Sequence, residues 1–93
     1  MALTWTAAKD PNEVKDYVVD WSARLTSGDT IMTSTWEKPD GIIVNSEENT
    51  TTTTTLWLSG GSLVDEYYEF VNIVETNGGR TYSQTCKLKC KAL

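Results

Sequence analysis

Glu66-Tyr67-Tyr68-Glu69-Phe70-Val71-Asn72-Ile73-Val74-Glu75-Thr76 is the stretch whose reading decides the fold. Successive side chains on a strand point to opposite sides. Tyr68, Phe70, Asn72 and Val74 therefore share one face, and Tyr67, Glu69, Val71 and Ile73 share the other. The first set holds the bulkiest ring, so it is expected inside, with Tyr68 placed for a corner-type hydrogen bond. The opposite face then exposes Tyr67, Val71 and Ile73, an apolar set that points to a partner surface. The alternative is that this strand is covered on both faces within its own domain.

Downstream, Asn77-Gly78-Gly79 is a hairpin signal. It leads into a last strand from about Arg80 to Lys91, with Cys86, Leu88 and Cys90 facing in and Lys87, Lys89 and Lys91 facing out. Upstream, Ser59-Gly60-Gly61-Ser62 breaks a strand that spans Thr50 to Leu58. Its first half is six consecutive threonines, out of 15 in the chain. Thr is β-branched and favours strands, so the run reads as strand and not as low complexity. Leu56 and Leu58 face in, which leaves Trp57 exposed or at an interface.

Further upstream, Asn45 to Asn49 reads as an acidic loop, Ile42 to Val44 as a short strand and Lys38-Pro39-Asp40-Gly41 as a turn. A strand from about Thr30 to Lys38 contains Ile31 and Trp36 at opposite parity. That predicts either a bulge or Ile31 at the strand end. A strand over residues 16–25 puts Tyr17, Val19, Trp21, Ala23 and Leu25 on one face and Val18, Asp20, Ser22 and Arg24 on the other. Asp10-Pro11-Asn12-Glu13 predicts a single helical turn. Six to seven strands in 93 residues predict an all-β fold: one immunoglobulin-like antiparallel β-sandwich domain over residues 1–93. A small barrel is the competitor. The predicted core is Tyr17, Val19, Trp21, Trp36, Leu56, Leu58, Tyr68, Phe70, Cys86 and Leu88.

Composition narrows the chemistry. The chain has no His, so the commonest general base and neutral metal ligand are missing. The carboxylate pairs Glu47-Glu48 and Asp65-Glu66 are sequence neighbours whose side chains point apart, unsuited to paired acid–base work. Gly60-Gly61 and Gly78-Gly79 are turn glycines and not a phosphate loop. Asp40, Glu47 and Glu48 match no calcium-loop spacing and read as solvated acids. No enzyme, cofactor or metal is expected. Cys86 and Cys90 lie roughly 13 Å apart along one strand face, beyond the about 7 Å a disulfide spans. They read as buried reduced thiols of a cytoplasmically assembled protein, with an intermolecular disulfide as the alternative.

The net charge is −5. Residues up to Glu75 carry thirteen acids against four cations, while Arg80, Lys87, Lys89 and Lys91 follow with no acid. Nucleic acid and anionic membrane are therefore not expected partners. No apolar run approaches the ~20 residues of a membrane span, and Met1 to Pro11 lacks the pattern of a secretory signal. The opposed charges serve either to steer subunits head to tail or to guard a Lys-rich edge strand against aggregation.

Several short segments occur in a distinctive order: Lys9-Asp10-Pro11, Asp16-Tyr17 with Asp20-Trp21-Ser22, Gly28-Asp29-Thr30-Ile31, Ser34-Thr35-Trp36, Trp57-Leu58-Ser59-Gly60-Gly61 and Gly79-Arg80-Thr81. The series resembles, over nearly the whole chain, a family of short tailed-bacteriophage and prophage proteins found with head and neck genes, some labelled fiber-tail adaptor. That resemblance implies a non-catalytic virion protein with an immunoglobulin-like sandwich. It would be made in the bacterial host cytoplasm and present in many symmetric copies beside other neck, tail, fiber or capsid proteins. The chain departs from the family pattern at Val71 and Ile73, where polar residues are expected, and at Cys86 and Cys90. The leading expectation is a neck or tail adaptor that docks fibers or joins rings, with Trp57, Tyr67, Val71 and Ile73 as apolar contacts. A capsid decoration or cement protein is the alternative. A carbohydrate-binding host-attachment module, stacking sugars on Trp5 and Trp57, is a third.

Overall fold

The structure, a computed structural model, describes residues 3–62 and 67–93. Seven strands follow in chain order: β1 Leu3–Thr4, β2 Lys15–Asp20, β3 Ile31–Glu37, β4 Ile42–Asn49, β5 Thr53–Gly60, β6 Tyr68–Thr76 and β7 Thr81–Leu88. They form a four-stranded sheet, β1-β7-β6-β3, and a three-stranded sheet, β2-β5-β4. All pairings are antiparallel except β1 with β7. The strands thus fall into two sheets and not into one closed barrel.

Alternation explains which face each strand buries. Tyr68, Phe70, Asn72, Val74 and Thr76 of β6 are buried, as are Thr54, Leu56 and Leu58 of β5, Tyr17 and Val19 of β2, and Cys86 and Leu88 of β7. With Trp21, Ile31, Trp36 and Cys90, the apolar members of this set make one cluster drawn from both sheets. Each large apolar side chain removed from water contributes about 1.5–3 kcal/mol before the entropy of ordering it is subtracted.

Among the buried polar side chains, Asn72 sits at the centre of this core. Asn72 Oδ1 accepts from Trp21 Nε1 at 3.0 Å and from Thr54 Oγ1 at 2.7 Å. Its Nδ2 donates to Ser34 Oγ at 2.9 Å and to the Thr35 carbonyl at 3.0 Å. Both donors and both acceptor positions of the amide are used, as a buried amide requires. Thr54 lies on the three-stranded sheet, whereas Asn72, Ser34 and Thr35 lie on the four-stranded one, so the network bolts the two sheets together.

Several boundaries differ from the sequence reading. β2 stops at Asp20 and does not run to Leu25. The Asp20 carboxylate accepts from Ser22 N at 2.9 Å, and Arg24 N and Leu25 N both donate to the Trp21 carbonyl. This turn leaves Ala23 exposed and Leu25 at the core margin. Residues 45–49 are not a loop but the second half of edge strand β4, and this half is exposed on both sides. The turn falls later, where Thr50 Oγ1 accepts from Thr53 N at 3.0 Å and pairs with Thr53 Oγ1 at 2.7 Å. Only the second half of the threonine run is strand.

β5 extends to Gly60, and β7 is shorter than the predicted 80–91. The register shift between Ile31 and Thr33 marks Met32 as the bulged residue, which lets Ile31 and Trp36 both face the core. The pair Asp65-Glu66, and the predicted strand start at Glu66, lie outside the described residues.

The N-terminal segment, read as a turn without strand, carries β1 and joins the two sheets along one side. Trp5 N donates to the Lys87 carbonyl at 3.0 Å, while Trp5 Nε1 donates to the Val18 carbonyl at 3.1 Å. Tyr17 Oη donates to the Ala7 carbonyl at 2.8 Å. Lys9 is wholly buried. Its Nζ donates to the Gly60 carbonyl at 2.6 Å and the Asp10 carbonyl at 3.0 Å, so the ammonium is held by backbone dipoles.

Candidate docking surfaces

The four predicted contact residues do not share one surface. Val71 and Ile73 sit on the outward face of β6, both half-buried. Their cross-strand neighbours are Glu37 and Thr85 for Val71, and Thr35 and Ser83 for Ile73. Three hydroxyls and the Glu37 carboxylate thus frame an aliphatic centre. Tyr67, 50% exposed, lies just before β6, with Lys89 Nζ 5.7 Å from its ring centroid. Glu69 and Lys87, 4.0 Å apart, close the same end.

Trp57 belongs to the other sheet. Leu56 and Leu58 beside it are fully buried, so the indole projects from the outer face of β5, the central strand, and is half-buried there. Because the core lies between the sheets, Trp57 faces the side opposite to Val71 and Ile73. Val18 and Ile43 share this outer face and are 45% and 61% exposed. The sequence reading did not single them out, since Val18 falls among polar residues and Ile43 stands in a short strand.

Trp5 is not a free aromatic platform. Its ring lies 5.0 Å from Tyr17, 5.8 Å from Phe70 and 6.2 Å from Trp36 by centroid, at tilted angles. That packing against the core removes Trp5 from the sugar-stacking pair.

The polar groups are tied down. Burial pushes the Cys86 thiol up to about 12 and raises Cys90 as well. Both are free thiols, protonated near neutrality and poor nucleophiles. The Asp29 carboxyl is held below the ordinary aspartate range, first by the Thr76 hydroxyl and also by Gly78 N, Thr30 N and Arg80. It pins the β6–β7 hairpin to the loop before β3. Among the described residues, no group of three or more Cys, Asp or Glu is placed to hold a metal ion.

What stands out on this framework is two outward faces and, among the described residues, no reactive centre. The family described as podophage GP4 fiber-tail adaptor protein gp77 matches residues 9–89. The chain belongs to this family. It is a non-enzymatic virion protein, a fiber adaptor of the neck and tail that partners other virion proteins. No curated protein matches the sequence. The matched span takes in all of β2 to β7, hence both faces of the adaptor, and leaves β1 outside.

Proposed function

We propose that the adaptor is a single immunoglobulin-like sandwich domain, made in the host cytoplasm and placed in many symmetric copies. It docks neighbouring virion proteins through its sheet faces. Three features support the sandwich assignment. The order β2-β5-β4 beside β3-β6-β7 is that of the B-E-D and C-F-G strands of such domains. Trp36 is buried on the third strand. Tyr68, at the start of the sixth, accepts from Ser62 N at 2.9 Å through its hydroxyl, a tyrosine-corner arrangement.

The observation that carries the docking reading is Val71 and Ile73 on the outward side of an interior strand, with Tyr67 at its end. An interior strand position needs no aliphatic side chain on its wet face, and polar residues serve there equally well. Val71→Lys with Ile73→Lys leaves the core untouched and should fold with an unchanged circular dichroism spectrum. Particles made with this variant should lack the chain. Normal incorporation would remove this face from the mechanism.

A further inference from the structure

We infer that the outer face of β2-β5-β4 is a second, separate docking surface that takes a virion protein whose apolar contact is rimmed by cationic side chains. The inference rests on the adaptor reading above and adds the second partner's chemistry. Its apolar part is a diagonal. The register pairs Val18 with Thr55, Asp16 with Trp57 and Ile43 with Ser59. Val18 and Ile43 therefore each lie two positions along from Trp57, on opposite sides of it, within reach of so large a ring.

The charge of this face is one-sided. Asp16 and Asp20 alternate with Val18, and Glu48 pairs with outward Thr55. Lys15 is the only cation in the three strands. It has the inward parity of Tyr17 and Val19, and its Nζ donates to the Ala8 carbonyl at 3.3 Å. Lys38, at the margin, sits 3.5 Å from Glu47. An apolar centre inside an anionic rim repels its own copy face to face and complements a cationic rim. The Val71 face is more mixed: the Thr35, Ser83 and Thr85 hydroxyls flank its aliphatic centre, Glu37 and Glu75 lie at its edge, and Glu69 is matched by Lys87. Two unlike faces on opposite sides suit a protein that joins two unlike neighbours.

Carbodiimide crosslinking of intact particles tests this, because the reagent joins carboxylates to lysines. Asp16, Asp20 or Glu48 should be found joined to a lysine of a different virion protein. Particles carrying Trp57→Ala with Ile43→Ala, or Asp16→Asn with Asp20→Asn, should lose that neighbour by about tenfold, which is 1.4 kcal/mol of contact. They should keep the neighbour held on the Val71 face. Crosslinks only to another copy of this chain would overturn the inference, as would variant particles with a normal complement of neighbours. Absence of the chain from wild-type particles would instead overturn the adaptor reading itself.

Discussion

Replacing Asn72 by Ala removes four hydrogen bonds at once. Trp21 Nε1 keeps a contact to Thr54 Oγ1 at 3.3 Å, and Ser34, half-exposed, can turn to water. The Thr35 carbonyl loses the amide, and the Thr54 hydroxyl proton, inside the core, loses its acceptor. Each stranded group costs about 1–3 kcal/mol, so the loss is about 2–6 kcal/mol before any cavity cost. A domain of this size has roughly 5–14 kcal/mol in total, so the variant should lose at least about a seventh of its stability and at the upper end all of it. Asn72→Leu fills the volume and leaves the same groups stranded, which separates hydrogen bonding from packing. It should recover only the cavity part. Adding Thr54→Val with Trp21→Phe removes the stranded hydroxyl and the indole N–H that would lose it as acceptor, and should regain stability over Asn72→Leu alone. Urea unfolding followed by circular dichroism gives each free energy. An Asn72→Leu protein within about 1 kcal/mol of wild type would refute the idea that this amide bolts the sheets.

The two buried indoles should respond differently to Phe. Trp21→Phe removes the indole donor to Asn72 Oδ1, leaving that buried oxygen with Thr54 alone, and should cost about 1–3 kcal/mol. Trp36 Nε1 is buried with no partner among the described residues, so Trp36→Phe sheds an unsatisfied donor and should stay within about 1 kcal/mol in the same urea assay. Neither Cys86 nor Cys90 should react with a disulfide reagent at pH 8 until urea unfolds the chain, and reaction of the native protein would contradict their burial. For acid, Asp10, Asp20 and Asp29 have depressed folded values, held by Leu93 N, Ser22 N and the Thr76 hydroxyl respectively. Their stabilisation is present above the ordinary aspartate value of about 3.9 and is lost as pH falls through the folded values. The urea midpoint should hold from pH 7 to about pH 5 and drop below about pH 4. Asp29→Asn should flatten that drop.

How far the sequence carried depends on contrast between faces. β5, β6 and β7 alternate large apolar with polar side chains, so their inward residues could be read directly. The second half of β4 is exposed on both sides, so Asn45 to Asn49 carried no alternation and looked like a loop. The Asp20-Trp21-Ser22 turn was written in the sequence, since Asp20 bonds two residues ahead, but Trp21, Ala23 and Leu25 continued the apolar period past it. β1 is two residues paired with a strand at the other end of the chain, which no local pattern announces. Lys9 was unreadable because its burial depends on Gly60, fifty-one positions away. For the docking surfaces, parity placed Trp57 and Val71 outward, yet only the sheet order shows that they look in opposite directions.

The N-terminal segment acts as a seam. Strands β2 and β7 each leave an unpaired border on the same flank, and Trp5, Ala7 and Ala8 stitch it shut with bonds to Lys87, Val18, Tyr17 and Lys15. A border sealed this way offers no template for a stranger's backbone. The opposite flank is guarded by Glu47 and Glu48 on β4. Neighbouring chains can therefore touch along these flanks through side chains without knitting into fibrils.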